Sequence, residues 1–387
     1  MPILIIWVLL VLYGLIAVYS VSIFESFQLS LKLLHKWVLD NPTNYFYFLR
    51  HLQNLLIALV IWWGIYKIPL ESLKKWRVHI FLGALFLQLL VFTPLGTTFQ
   101  WSRGWLYLAP FGTLQPVEIF KLAWILFLSW WLIKKKKLLN TLEGLIMFYI
   151  LLGIFWVIYL FLPDLWALLI LTLVSLILFR YAWGSFRQLV ISILILSVVG
   201  IGIGLKFWYI QQRFGYFLNP QIDALERGVG WQVEQGIIAI GAGWWIGRGY
   251  GKGLQKFGYI PEAQSDFIFA AFSEEVGFIW DIILLGLYFS LAWIVLTRLR
   301  YVKDEYRRNV AVGIVVLILI QAWVNIAVNL RLLPVTGLTL PFISYGGTSL
   351  MMSIVEIILL YKIVYELPSR LSSETKQKFL FFRKRKI

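Results

Sequence analysis

The sequence predicts an all-α integral membrane protein of about ten transmembrane helices, with one large extracytoplasmic loop between spans seven and eight. Three observations carry that expectation. Of 387 residues, 60% are hydrophobic and 14% charged, and the mean hydropathy is +0.81, which is more apolar surface than a soluble fold of this length can bury. The apolar residues fall into runs near the ~20 residues that a bilayer-crossing helix needs. The charges fall between these runs, and every second connection is basic.

Taken in order, the first run extends from Pro2 to about Val21. It lacks a basic leader and a small-residue cleavage site, so it reads as a retained span rather than a signal peptide. Nine more runs lie near 48–66, 76–95, 116–133, 144–162, 165–180, 187–207, 278–297, 309–330 and 344–364. Lys67, Lys74, Lys75 and Arg77 follow the second span, Lys134 to Lys137 the fourth, and Arg180 and Arg187 the sixth. Arg298, Arg300, Lys303, Arg307 and Arg308 follow the eighth, and Arg383 to Lys386 close the chain. The positive-inside rule places these connections and both termini in the cytoplasm. The chain therefore divides into a polytopic membrane domain, 1–367, and a basic cytoplasmic tail, 368–387.

The remaining connections face outward: 23–47, 96–115, the Pro163-Asp164 turn, 208–277 and 331–343. Segment 208–277 is too long for a connector and is the first place to look for function. No internal repeat is evident, which counts against an inverted-repeat transporter. The chain has no cysteine and only three scattered histidines, which removes disulfides, thiolate catalysis and the usual Cys/His metal sites. A formal charge of +16 would suit nucleic acid, but the basic residues sit where membrane insertion requires them, so no nucleic-acid partner is expected.

The acids of the outer segment are the chemically unusual feature. The stretch "PEAQSDFIFAAFSEEVGF", Pro261 to Phe278, ends where the eighth span begins, so Ser265 to Glu275 reads as an outer half-helix. Ser265 is a good N-cap and places Asp266 in the first turn. Ala270, Ser273 and Gly277 then lie nearly beneath Asp266, as a ligand groove or as a helix-packing seam. No basic residue adjoins Asp266 in sequence, which favours a functional role, whereas Glu274 and Glu275 read as a charged hinge. In "QPVEIFKLAW", Glu118 and Lys121 are three apart, share a helix face and are placed to form an ion pair, functional or purely structural. Asp164 caps the turn between spans five and six, and Arg103 and Trp105 lie just before span four. The run "GAGWWIGRGYGKG" lets backbone approach a ligand closely, a weak signal on its own.

With "LLPVTGLTLPFISYGGTSL", Leu332 to Leu350, these motifs resemble the SEDS family (shape, elongation, division and sporulation), whose members include FtsW, RodA and SpoVE. The resemblance covers nearly the whole chain and adds "PDL" between spans five and six and "IAIGAGWWIGRGYGKGLQKFGYIPEA" in the large loop. "GLTLPFISYGG", "PEA" and "YFLRHLQ" lean towards the FtsW/SpoVE branch. The chain departs from the family pattern at Gln264-Ser265, Ser273 and Trp166-Ala167, and near Asn329 and Arg331.

The resemblance implies a peptidoglycan glycosyltransferase that polymerises lipid II, the undecaprenyl-pyrophosphate-linked disaccharide pentapeptide, on the outer face of the bacterial cytoplasmic membrane. It implies a class B penicillin-binding transpeptidase as partner, with other membrane proteins of a division or elongation complex. The family's essential aspartate falls on Asp266, which becomes the general base of an inverting transfer. Arg103, Lys121, Arg248 and Lys256 become the cations for pyrophosphate, with Glu118 orienting Lys121 and Asp164 orienting a basic partner or metal. Trp105, Glu262, Ser344 and Tyr345 complete the expected substrate-binding set. A divalent cation, Mg or Mn, is a further expectation, and no organic cofactor is expected. Two alternatives stay open: a flippase or transporter of the lipid-linked precursor, and a non-catalytic scaffold for the transpeptidase.

Overall fold

The computed structural model describes residues 2–35, 41–99, 102–108, 112–162, 164–182, 184–219 and 228–365. The tail 368–387 and Pro163 lie outside the described residues. Each of the ten expected runs is occupied by a helix. These are α1 (Pro2–Val21), α3 (Phe46–Lys67), α4 (Leu70–Leu90), α5 (Pro116–Lys134) and α6 (Leu142–Phe161), then α7 (Leu165–Tyr181), α8 (Phe186–Lys206), α12 (Phe278–Leu299), α13 (Glu305–Asn329) and α14 (Gly347–Tyr365). Among the described residues, eight helices are long and apolar enough to cross a membrane; α7 is apolar but has 17 residues. Helix α4 begins six residues before the apolar run because Pro69, in extended conformation, ends the preceding turn, and its first two turns take in Glu71, Lys74, Lys75 and Arg77. The fold is that of an all-α integral membrane protein.

The connections expected to be irregular carry structure of their own. Helix α2 (Ile23–His35) continues from α1 after a break at Ser22. Strands β1 (Gly96–Phe99), β2 (Ser102–Leu108) and β3 (Gly112–Leu114) form an antiparallel sheet in the order β1-β2-β3, with Thr97 opposite Trp105 and Leu106 opposite Leu114. Segment 208–277 holds α9 (Trp208–Leu218), α10 (Val229–Gly243), a run of turns, and α11 (Ile268–Val276).

Side-chain caps start the helices at Thr141, Asp164, Ser185 and Asp304, each accepting a hydrogen bond from a backbone N–H of the first turn. Short connections make sequential helices antiparallel, so the bundle has a basic end and an opposite end. Helices α5, α13 and α14 form its centre, with α4 against α5, α7 against α13 and α3 against α14. Apolar attraction gives little drive in lipid, so close packing and interhelical hydrogen bonds hold such contacts. Trp124, for example, stacks edge-on against Phe155 and donates its indole N–H to Ser175 Oγ at 2.8 Å.

The basic end is stapled by ion pairs that join α4 and α5 to the start of α13. They are Lys74–Asp304 at 3.0 Å, Lys136–Glu305 at 2.9 Å and Arg307–Glu71 at 2.7 Å. There the Lys74 ammonium, with backbone amides of Tyr306 and Arg307, pulls the Asp304 carboxyl below the usual carboxylate range against the opposing effect of burial. Buried Lys362 caps the last carbonyls of α3, donating to Tyr66 O at 2.8 Å and to Ile68 O.

At the opposite end, the turn after α10 is laced to the junction of α11 and α12. Phe278 N donates to Trp244 O at 2.8 Å, Arg248 N to Glu274 O and Gly249 N to Glu275 O at 3.0 Å each. The junction itself is Gly277, at φ +80° and ψ 175°, a region open essentially to glycine alone. A Cβ there would overlap the backbone of Ile246 and Gly247. Gly277→Ala is expected to destabilise the protein by about 2 kcal/mol or more, lowering the detergent unfolding temperature. Gly286→Ala, which meets open space on α12, is expected to leave that temperature unchanged or slightly raise it.

Candidate functional site

Asp266 does not sit in the first turn of a helix. Helix α11 starts at Ile268 with Phe267 at the N-cap, and Ser265, the expected cap, instead donates its hydroxyl to Glu262 O at 3.0 Å. The missing cap comes from α13. Asn329 Oδ1 accepts from Ala270 N, in the first turn of α11, at 3.0 Å. Its Nδ2 donates to the backbone oxygen of Asp266 at 2.9 Å, and Asn325 Nδ2 reaches the same oxygen at 2.9 Å and Leu338 O at 2.6 Å. From the other side, Ser344 Oγ donates to Ser265 O at 2.5 Å and Tyr345 N to Gln264 O at 2.9 Å. The backbone on both sides of Asp266 is therefore gripped by α13 and the 331–346 segment.

One expectation changes with this geometry, and of two open readings one is favoured. Ser344 is buried and its hydroxyl is committed to backbone, accepting from Leu340 N and donating to Ser265 O, so it positions the loop rather than meeting substrate. The small-residue face beneath Asp266 is a packing seam. Gly236 of α10 lies against Phe267 and Ala270, Gly243 leaves no room for a Cβ beside Ser273 O, and Ser273 Oγ is bonded to Asp281 at 2.8 Å. Tyr345 is half-buried with its ring edge-on to Tyr47.

The carboxyl of Asp266 faces a mixed field. Burial pushes it up to about 7, Glu262 adds to the rise, and Arg213 of α9 pulls against it. Glu262, held at φ +52°, is itself raised, first by burial and then by Glu25. A carboxyl near 7 is divided between acid and base at neutral pH, as a general base requires. Infrared titration of the Asp266 carboxyl, identified by its loss in Asp266→Asn, is expected to show a midpoint near 7. Glu262→Gln removes a charge that favours the protonated form, so the midpoint moves down. Arg213→Gln removes one that favours the ionised form, so it moves up.

Below this point lies a buried charged cluster. Lys121 and Glu118 form the expected pair at 2.7 Å, and Lys121 Nζ also donates to Gln321 Oε1 at 2.8 Å. Glu356 of α14 is within electrostatic reach of both. Asp164 caps α7 through Ala167 N at 3.0 Å. Its carboxyl is raised by burial, against the Ala167 amide, Arg213 and Lys121, which lower it. Arg213 thus acts on both Asp164 and Asp266. It was not among the residues singled out by sequence; the signal available was one arginine in the aromatic stretch "WYIQQRFGYF" of the outer segment.

One expected phosphate cation is engaged elsewhere, and a second is drawn to a buried acid while staying exposed. Lys256 is fully buried, with its ammonium 2.7 Å from Glu275 Oε1, 3.1 Å from Ser20 Oγ and 3.1 Å from Gly251 O. All three N–H groups are used, so Lys256 has none to offer a diphosphate. Glu275 also accepts from Ser20 Oγ at 2.6 Å and Gly251 N at 2.8 Å. Arg248 lies with Nη1 3.2 Å from the buried Glu274, an ion contact without hydrogen-bond alignment, and keeps an exposed side chain. Glu274 and Glu275 are accordingly anchors of the 247–256 loop, not a hinge. Trp105 is half-buried on β2, paired with Thr97. Arg103 lies on the same strand, its side chain outside the described residues.

Among the described residues, no group of three or more His, Asp or Glu is placed to hold a metal ion. Removing one member of the fully buried Lys256–Glu275 pair leaves an uncompensated charge. Glu275→Gln and Lys256→Met are each expected to cost roughly 3–5 kcal/mol, read as loss of thermal stability in detergent, with the double change costing less than the sum.

A bundle of membrane helices whose one irregular end holds a poised carboxylate over a buried charged cluster defines a polytopic membrane protein with a site at the water boundary. The chain belongs to the cell cycle protein family of FtsW, RodA and SpoVE, whose model matches residues 1–368. It is 36% identical over 327 residues to the protein of Coxiella burnetii named "Probable peptidoglycan glycosyltransferase FtsW", covering 83% of this chain and 87% of that one. A protein of the same name from Acinetobacter baylyi is 35% identical over 331 residues, 84% of this chain and 81% of the relative. Among solved structures, a chain from work titled "Structural coordination of polymerization and crosslinking by a peptidoglycan synthase complex" superposes with a TM-score of 0.72 at 24% identity, covering 94% of this chain and 98% of that one. Rod shape determining protein RodA of Thermus thermophilus gives 0.66 at 20% identity, over 94% and 97% of the two chains. These two likenesses concern the fold.

Proposed function

We propose that this protein is a peptidoglycan glycosyltransferase that polymerises lipid II at the outer face of the bacterial cytoplasmic membrane, with Asp266 as general base. The observation that carries the reading is Asp266 itself: a carboxyl with its backbone fixed by Asn325 and Asn329 and its proton affinity set near neutrality. Curated relatives at 35–36% identity bear the glycosyltransferase name. The basic loops, gathered at one end with the ion-pair staples, support an orientation with that end and both termini in the cytoplasm.

In the proposed reaction the 4-hydroxyl oxygen of the acceptor sugar attacks the anomeric carbon of the donor. The bond from that carbon to the diphosphate oxygen breaks with inversion, and the hydroxyl proton passes to the Asp266 carboxylate. Arg213 and Arg103 meet the departing diphosphate, and Arg248 contributes from the exposed edge of the loop. Buried Lys121, steadied by Glu118 and Gln321, sets the positive field beneath Asp164 rather than touching substrate. Trp105, Tyr345 and Glu262 border the acceptor sugar. A divalent cation carried with the substrate diphosphate would supply further neutralisation of the leaving group's charge. A class B transpeptidase is the proposed partner, with other membrane proteins of a division or elongation complex, and the complex named in one neighbour's title supports such pairing.

One observation favours a transport reading: Glu356 lies buried within α14, near Lys121, where a proton-coupling carboxylate would sit. Lipid II polymerisation in liposomes separates the two. Asp266→Asn is expected to lower the polymerisation rate by roughly 10²-fold or more, while Glu356→Gln retains polymer formation. Head-group translocation without glycan growth by the wild type, or full polymerisation by Asp266→Asn, would overturn the proposal.

A further inference from the structure

At the basic end of the bundle a cleft of about 220 Å³ opens between the ends of α5 and α7 and the first turn of α13. Its lining includes Ile133, Lys136, Tyr181, Glu305, Arg308 and Asn309. Two cations there share one carboxylate. Lys136 Nζ lies 2.9 and 3.2 Å from the oxygens of Glu305, and Arg308 Nη2 lies 4.0 Å from it. The guanidinium is thus only loosely engaged, and the lining carries an excess positive charge. Lys134, Lys135, Lys137 and Arg180 adjoin it in sequence and strengthen the local field.

The second observation is Asn309. It is only 4% exposed, and among the described residues its carboxamide makes no hydrogen bond. Asn309 lines the cleft, so its carboxamide is open there to a polar group of a ligand. Asn309 NH2, the Tyr181 hydroxyl and the Arg308 fork together offer the donors that a tetrahedral phosphate oxygen set accepts.

The rim decides between a soluble anion and a lipid. Ile133 lines the cleft, Tyr181 is 45% exposed, and Ile177, one turn back on α7, is 40% exposed. The cleft therefore lies at the basic end of two apolar helices, with the exposed apolar side chain of Ile177 one turn along α7 from it. A free phosphate has no use for that apolar side chain, whereas acyl chains do.

We infer that the cleft between Lys136, Tyr181, Arg308 and Asn309 is a binding site for the head group of an anionic glycerophospholipid of the basic-side leaflet. Its phosphodiester lies against Arg308 and Asn309, and its chains follow Ile133 and Ile177. Glu305 keeps Lys136 turned into the site and limits the net charge, which suits a singly charged phosphodiester better than a phosphate monoester. Occupancy braces the start of α13, the helix whose far end grips Asp266.

The test uses the full-length wild type in nanodiscs of phosphatidylcholine and phosphatidylglycerol, with a phosphatidylglycerol probe carrying a photoactivatable group on its head. Mapped adducts are expected within 133–136, 181–182 or 305–309, and a phosphatidylcholine probe is expected to label these peptides roughly fivefold less or weaker still, as a single basic contact implies. Arg308→Gln with Asn309→Leu should lower labelling by a similar factor while lipid II polymerisation, which does not use these residues, persists. Adducts confined to other helices, equal labelling by the zwitterionic probe, or displacement of the label by inorganic phosphate would each overturn the assignment. The wild-type map decides the matter even where the double variant fails to fold.

Discussion

Two asparagine side chains of α13 converge on one backbone oxygen, that of Asp266, and the outer end of the molecule is organised around that contact. Helix α11 has no cap of its own, yet its first turn is buried, where an unpaired N–H costs as much as a lost hydrogen bond. Asn329 satisfies one such N–H, at Ala270, and with its other end fixes the residue two positions before the helix. The same side chain thus starts the helix and sets the position of the carboxylate. At the far end of α11, Glu274 and Glu275 hold the 247–256 loop, and Gly277 makes the turn into α12. Helix α11 is therefore held at both ends by groups from outside itself.

Buried charges of two kinds coexist here, and their hydrogen bonds tell them apart. Lys256 is saturated by protein acceptors, which marks it as structural. The carboxyl of Asp266 is raised because burial and Glu262 outweigh Arg213. A buried carboxyl raised in this way is suited to a proton-transfer step. The Lys121 cluster lies between these cases: the ammonium is satisfied by Glu118 and Gln321, and its field still reaches Asp164 and Glu356.

Span positions were legible in the sequence because bilayer thickness imposes a length that composition reveals directly, and each of the ten runs holds a helix. Asp266 was legible because it stands in an apolar outer segment with no basic residue beside it in sequence. The start of α4 was not, since a helix set by Pro69 runs through charged residues that hydropathy assigns to a loop. The β1-β2-β3 sheet escaped because its strands are three to seven residues long. The role of Lys256 was misread for a different reason: its partner Glu275 is 19 residues away and its partner Ser20 is 236 away. Arg213 and the α13 asparagines were missed likewise, since a cap supplied from another helix leaves no local spacing to recognise, whereas Ser265 offered a local pattern that the fold does not use.

The measurement that tests this account most directly is the single-turnover rate of lipid II polymerisation after replacing Asn325 and Asn329 by leucine, one at a time, in protein shown to be folded. A catalytic carboxylate displaced by about 1 Å loses on the order of 10²-fold in rate, so each variant should turn over about ten- to a hundredfold more slowly while its KM for lipid II stays near the wild-type value. Folded variants that polymerise at the wild-type rate would contradict the claim that the grip of α13 on Asp266 places the catalytic base.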